Sequence, residues 1–404
     1  MAAFPTFEPQ GRFFRRYWLV FAIVAGVFAF WALLWAVRPT QVAIKTTLIV
    51  PELFIDAPIT PLKLVSGAPA KEEVHIELPD GRTVPADVYR PSGGGEHGAF
   101  ILAVGAANKI RDHEGVIRLS NTISRTGVVV MVPELYYPFE EATLPEEVSE
   151  LVHAFSTNVD EVVAAYQWLH EQPYVDNDRL GIFGVSAGGG IALIAAADER
   201  IRADVDFVAA LGTYYDMVDL VSAVTTEEIY YGDQTIAWEP RIKSVRVLHS
   251  SVISYLSDER DRDILTRIFV REEEGARDEI GDLTDKGADI YRAFETKDAD
   301  RILAFWSEMS SQDIDTLREI SPSTYVANIH TDLFIMTDRS DPYVPYVESR
   351  RLRDAVSGNG NEIHYAEFDF LNHVELSSPS DPLSFTKDLG RLFYYSWLIM
   401  QRIQ

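Results

Sequence analysis

The segment Gly181-Ile182-Phe183-Gly184-Val185-Ser186-Ala187-Gly188-Gly189-Gly190 has the clearest chemical content in this chain of 404 residues. Ser186 stands between Gly184 and Gly188 in a G-x-S-x-G spacing. A strand-like run (Arg179 to Phe183) precedes it and a small-residue helix (Gly190 to Ala197) follows. A serine on such a strand-to-helix corner projects its hydroxyl out of the sheet, and side chains at the two glycines would collide with neighbouring backbone. The first N–H groups of the helix then face any negative charge that develops beside the hydroxyl. This layout suits acyl transfer. The same residues could instead form a glycine-rich connection whose serine merely caps the helix, but the strand before and the helix after favour a nucleophile.

A serine hydroxyl is a poor nucleophile at neutral pH, so it needs a base, and the base needs a carboxylate to orient and balance it. Position sorts the nine histidines. His75 and His97 belong to a hairpin and a glycine loop; His113, His153, His170 and His249 fall on helices. His330 precedes a strand at the end away from the crevice, and His364 lies inside the last strand. His373, in Asp369-Phe370-Leu371-Asn372-His373-Val374-Glu375, follows that strand on the crevice side and is the expected base. The loop after the preceding strand, Thr337-Asp338-Arg339-Ser340-Asp341-Pro342-Tyr343-Val344-Pro345, offers two acids. Asp338 is close enough to the strand end to serve a turn, whereas Asp341 precedes a proline that fixes the loop, so Asp341 is the expected acid.

The elements that must position these residues follow from apolar spacing. Glu73 to Tyr89 alternates as a hairpin around Asp80-Gly81. Strands are expected at Ala99 to Val104, Gly127 to Val132, Val205 to Leu211, Thr331 to Thr337 and Glu362 to Phe368. Helices are expected at Asn108 to Thr126, Glu147 to Glu171, Tyr346 to Val356 and Leu383 to Met400. This alternation predicts an open, mostly parallel sheet with helices on both faces, whose ligand crevice lies beyond the carboxyl ends of the strands. It stops between Asp216 and Ser321, where charged, helical sequence has the apolar residues for a cap over the crevice. Pro39 to Ala70 has several prolines and no helical period, and reads as a linker with a short strand or two.

The order Ser186, Asp341, His373, with G-x-S-x-G on a strand–helix corner, resembles the α/β-hydrolase superfamily. The segments Asp341-Pro342-Tyr343-Val344-Pro345 and Gly184-Val185-Ser186-Ala187-Gly188-Gly189 look like its dienelactone-hydrolase-like and prolyl-oligopeptidase-like branches. The resemblance runs from about Val74 to the C-terminus, excluding the cap. It implies an eight-stranded hydrolase sheet over 73–215 and 322–404, with the helical cap 216–321 inserted after the sixth strand. It also implies two oxyanion donors, the N–H groups of Ala106 and Ala187. One departure affects the first donor: many relatives begin the loop after the third strand with His-Gly, whereas this chain has Val104-Gly105-Ala106-Ala107-Asn108, and Ala107 could serve instead of Ala106. Ser186 also replaces the cysteine of dienelactone hydrolase, so that activity is not implied. Glu134, just past the fourth strand, and Tyr214 and Tyr215, just past the sixth, are candidates for the substrate pocket; the two tyrosines could equally pack the cap hinge.

Composition bounds the rest. A net charge of −26 opposes nucleic-acid binding. The absence of cysteine removes disulfides and thiolate chemistry. No H-E-x-x-H, P-loop or dinucleotide fingerprint is present, so no metal or organic cofactor is expected. After a short tail (1–16), residues 17–37 form an uncharged apolar run long enough to cross a bilayer, with Tyr17, Trp18 and Trp35 near its ends. Arg12, Arg15 and Arg16 precede it, favouring an uncleaved signal anchor with a cytoplasmic N-terminus and the remaining chain (from a linker, 38–72) outside. The expected activity is carboxylic ester hydrolysis on a small acyl substrate. Peptide cleavage, acyl transfer, or a membrane-tethered binding role without catalysis are the alternatives.

Overall fold

The structure, a computed structural model, describes residues 38–54, 60–105, 109–136, 148–309, 315, 317–371, 373 and 382–404. The expected membrane helix at 17–37 lies outside these residues, as do the tail 1–16 and the loop positions Ala106 and Ala107. Among the described residues no helix is long and apolar enough to cross a membrane.

In chain order the strands are β1 (Ala70–Glu77), β2 (Thr83–Arg90), β3 (His97–Val104), β4 (Val129–Pro133), β5 (Val175–Val185) and β6 (Phe207–Leu211). A separate hairpin, β7 (Glu228–Tyr231) and β8 (Gln234–Ala237), follows, and then β9 (Asp332–Asp338) and β10 (Ile363–Phe368). Eight of them form one sheet in the order β1-β2-β4-β3-β5-β6-β9-β10. β2 pairs antiparallel with β1 and β4, and every other neighbouring pair is parallel.

The parallel strands are apolar nearly throughout because helices cover both of their faces. Alternate residues of each strand enter different cores. Ile101, Met131, Ile182, Val208 and Ile335 face one core together with the helices α3 (Val148–His170) and α4 (Ala187–Ala197). Phe100, Val130, Phe207 and Phe334 face the other. That second core is closed by α1 (Arg38–Phe54), α2 (Glu114–Arg125) and α11 (Pro382–Ile403).

Helix α1 corrects the linker expected over Pro39 to Ala70, where among the described residues no strand forms before β1 and Pro61–Val65 adds a single helical turn. Val42 and Ile49, two turns apart on one helix face, are 2% and 6% exposed. They belong to the same core as Ile399, Met400 and Ile403 of α11.

The segment expected to form the cap lies between β6 and β9. Its helices are α5 (Met217–Thr226), α6 (Ile242–Ser254), α7 (Glu259–Phe269), α8 (Asp285–Thr296) and α9 (Ala299–Met309). Asp216 and Asp258 cap α5 and α7 with their carboxylates, stabilising otherwise unpaired first-turn N–H groups. Within the charged shell, Val252, Ile264, Leu265, Ile290, Phe294 and Ile302 are buried. The β7–β8 hairpin was not anticipated; it turns at Gly232, whose φ is 58°. After the cap, α10 (Tyr346–Val356) packs beside β9 and β10.

Candidate active site

Ser186 occupies the corner between β5 and α4 with φ 58° and ψ −130°, a conformation that costs a non-glycine residue roughly 1–3 kcal/mol. Backbone contacts on both sides enforce it. The Ser186 N–H donates to the Leu211 carbonyl at 2.9 Å, and its own carbonyl accepts from Gly189 N–H at 2.9 Å. A Cβ at Gly188 would lie 2.2 Å from the Ala103 carbonyl oxygen, and one at Gly184 would lie 2.5 Å from that of Gly188. The G-x-S-x-G glycines are therefore required by close packing of β3 and β5 against α4.

Ala187 is the first residue of α4, so its N–H has no intrahelical acceptor. Gly105, at the end of β3, lies directly against it: a Cβ there would be 2.5 Å from the Ala187 nitrogen. The loop that follows Gly105 thus starts beside the amide expected to hold an oxyanion. Ala106, the other expected donor, and Ala107 lie outside the described residues.

Asp341 and His373 are paired. His373 Nδ1 is 2.6 Å from Asp341 Oδ2, and the residues are 7% and 1% exposed. Asp341 Oδ1 accepts from the N–H groups of Tyr343 (2.8 Å) and Val344 (3.0 Å), so both carboxylate oxygens are engaged. An ionised carboxylate can only accept, which makes Nδ1 the donor and leaves Nε2 of a neutral ring as the lone-pair nitrogen. His373 has φ 76°. Tyr343 packs its ring 4.9 Å from the imidazole.

Gly212 connects this pair to the serine corner. It follows Leu211, the acceptor of the Ser186 N–H. With φ +60°, it approaches so closely that a Cβ would be 3.2 Å from both Asp341 Oδ2 and His373 Nδ1. The three residues therefore gather around the carboxyl ends of β5, β6, β9 and β10.

Two supports were not read from the sequence. Asp338, weighed above as a turn residue, is 1% exposed. Its Oδ1 accepts from Ser340 N–H at 2.8 Å and its Oδ2 from Leu371 N–H at 2.6 Å. It thereby joins the Asp341 loop to the His373 loop, and the Asp-x-Ser spacing was its available signal. The second support comes from the cap. Trp238 Nε1 donates to the Asp341 carbonyl at 2.8 Å, and Arg241 N–H donates to the Pro342 carbonyl at 2.8 Å. The Arg241 guanidinium lies 5.9 Å from the Tyr343 ring centre. Nothing local in sequence announces contacts across about a hundred residues.

The three pocket candidates have other commitments. Glu134 is half-buried, and its Oε1 accepts from Ile110 N–H at 3.1 Å, fixing the far side of the loop that follows β3. Of its two expected roles, Tyr214 takes the hinge: it is 1% exposed, its ring is packed against Gly190 of α4, and its hydroxyl donates to the Ile320 carbonyl at 2.7 Å. Its bulk fills the cap hinge instead of lining an open pocket. Tyr215 is half-buried on the same hinge, with its N–H donated to Glu348 Oε2 at 3.0 Å. Glu348 also accepts from Asp216 N–H at 2.9 Å and from Arg351. Burial pushes its carboxyl up, to about 7, against the opposing pull of Arg351 and the two amides. Among the described residues no cluster of histidine and acidic side chains could hold a metal ion.

Comparison with known proteins gives three kinds of likeness. Residues 152–274 match a family described as alpha/beta hydrolase fold. The uncharacterized protein PA2218 of Pseudomonas aeruginosa is 28% identical over 144 residues, a stretch covering 35% of this chain and 36% of that protein. The match thus spans little more than a third of that relative. Among solved structures, a Mycobacterium tuberculosis puromycin-hydrolyzing peptidase is 15% identical, with 85% of this chain and 41% of that chain covered and a TM-score of 0.47. The thermophilic carboxylesterase EstE1, cloned from a metagenomic library, is 15% identical, with 91% and 99% covered and a TM-score of 0.44. The sheet order, the strained serine corner after β5 and the matched family model agree on one architecture: the chain has the α/β-hydrolase fold.

Proposed function

We propose that this protein is a membrane-anchored serine hydrolase that cleaves carboxylic esters through an acyl-enzyme. The observation that carries this reading is the buried Asp341–His373 pair set against Gly212, one residue from the backbone acceptor of Ser186. In the reaction, His373 Nε2 takes the Ser186 proton as Oγ attacks the ester carbonyl. Asp341 holds the ring in the Nδ1–H tautomer and balances the imidazolium that forms. The Ala187 N–H, with a second from Ala106 or Ala107, receives the oxyanion; each such donor stabilises the transition state by about 3 kcal/mol. The imidazolium then protonates the departing alcohol, and His373 activates the water that releases the acid.

The anchor is the apolar run 17–37, with the arginines before it favouring a cytoplasmic N-terminus and an extracytoplasmic hydrolase domain. The described part of helix α1 follows this run in sequence and is packed into the core.

The test is hydrolysis of short- and medium-chain p-nitrophenyl esters by the full chain, beside Ser186→Ala and His373→Ala. A fluorophosphonate probe would be run in parallel. Turnover and labelling that both require Ser186 support the proposal. Folded wild-type protein that neither turns over esters nor takes the probe overturns it in favour of a silent binding fold. Labelling with cleavage of amides but not esters moves the activity to peptides.

A further inference from the structure

Outside the last strand lies a concentration of charge that the reaction does not use. A cavity of about 390 Å³ is bordered by Arg339, Arg350, Arg353, Arg391, Tyr231 and Glu367. The four arginines come from separate places: one just past β9, two a turn apart on α10, and one on α11. In a chain of net charge −26, four guanidiniums around one cavity run against the composition.

Among the described residues, Glu367 is the single carboxylate lining that cavity. Its Oε1 accepts from Arg350 Nε at 2.6 Å, and its Oε2 accepts from Arg350 Nη2 at 2.9 Å and Arg339 Nε at 2.7 Å. Burial pushes the Glu367 carboxyl up, but the hydrogen bonds from Arg350 and Arg339 outweigh it and hold the group at about 2. The other acidic partners are not part of the lining: Asp354 beside Arg353 (2.8 Å), Asp388 beside Arg391 (2.8 Å) and Asp369 beside Arg339 (3.7 Å). Arg339 Nη2, Arg353 Nη1 and Arg391 Nη2 make no hydrogen bond to protein among the described residues. Arg353 and Arg391 are each about one-third exposed, so solvent reaches them. Tyr231, on the cap hairpin, borders the cavity with its ring 5.6 Å from the Arg350 guanidinium.

We propose that this cavity binds a phosphate-type oxyanion through Arg353, Arg391 and the unpaired edge of Arg339. The Glu367 carboxylate is a built-in negative charge beside them, bonded to Arg350 and Arg339, that a bound oxyanion competes with. Planar forks of N–H donors match the oxygens of such a group, and pairs of this kind are stronger than neutral hydrogen bonds. The oxyanion could belong to a free phosphate compound or to a lipid headgroup. Because Arg339 N–H donates to the Phe368 carbonyl at 2.8 Å and stands two residues before Asp341, the site shares its loop with the candidate acid. It does not depend on the proposed ester chemistry.

The test is calorimetric titration of the full chain with inorganic pyrophosphate and, separately, with a short-chain water-soluble phosphatidic acid, at constant ionic strength. Saturable one-site binding of pyrophosphate assigns a free phosphate compound; binding of the phosphatidic acid alone assigns a headgroup. Arg353→Gln and Arg391→Gln should each weaken that binding about tenfold and leave any ester turnover unchanged. Glu367→Gln should tighten it, because the competing carboxylate charge is gone. If Glu367→Gln fails to fold by circular dichroism, the two arginine variants still decide. Absence of saturable binding by either ligand, or unaltered binding in both arginine variants, overturns the proposal.

Discussion

The Ser186 corner and the Asp341–His373 pair are held by different physics. The corner is set by main chain against main chain: two backbone hydrogen bonds fix Ser186, and the flanking glycines leave no room for a side chain. The pair is set by side chains reaching between distant elements. Asp338 ties the two loops together, while Trp238 and Arg241 of the cap hold the acid loop by its carbonyls. Backbone packing of the first kind tolerates almost no change in shape. A hydrogen-bonded support of the second kind can be removed one bond at a time, at about 1 kcal/mol each.

The largest effect should come from Asp341→Asn. The amide keeps the acceptor for Tyr343 and Val344 but can present N–H to Nδ1, favouring the wrong imidazole tautomer. We expect a loss of about 10⁴ in kcat with little change in KM and a near-normal melting temperature. An unchanged kcat would remove Asp341 from the reaction altogether.

Gly188→Ala probes the other side of the comparison. Its methyl group must displace the Ala103 carbonyl or α4, since it would start 2.2 Å from that oxygen. Thermal unfolding should show a loss of about 1–3 kcal/mol, the usual cost of overpacking, together with reduced turnover. If the variant melted and turned over like wild type, the corner would not be held by close packing.

This contrast also explains what the sequence revealed. The corner was legible because its glycines, serine and flanking strand lie within ten residues. His373 and Asp341 could be chosen because a parallel sheet sends the ends of successive strands to one edge. Helix α1 was misread as linker because its two prolines obscured a sparse apolar face, Val42 and Ile49. Tyr214 stayed open between pocket and cap hinge for a related reason: position after β6 is local, but the direction of the ring is decided by Gly190 and Ile320. The same distance hid Trp238, whose partner is 103 residues away.

Trp238→Phe sharpens the comparison at smaller scale. Phenylalanine keeps most of the ring packing and deletes only the Nε1–H donor to Asp341. The expected result is a fall in kcat of up to about tenfold, equivalent to one hydrogen bond, with KM for a small ester nearly constant. A change in KM alone would instead make Trp238 a wall of the pocket.

The smallest effect at neutral pH should come from the interior of the cap. His249 on α6 lies between Phe269 and Phe294, with ring centres 5.2 and 4.1 Å away. Burial lowers its pKa from 6.5 to about 4. The neutral ring is therefore favoured in the folded cap, whereas the unfolded chain takes up a proton near pH 6.5. Its contribution to stability is complete above pH 6.5 and is lost as pH falls towards 4, because over that window the unfolded state binds the extra proton. His249→Phe should therefore leave stability and turnover at pH 7.5 almost unchanged and flatten the loss of stability between pH 6.5 and 4 by about 1–3 kcal/mol. Denaturant melts of both proteins at several pH values measure this directly. A variant whose stability fell with acid as steeply as wild type would place the acid sensitivity outside the cap, among groups such as the carboxylates that support Asp341 and His373.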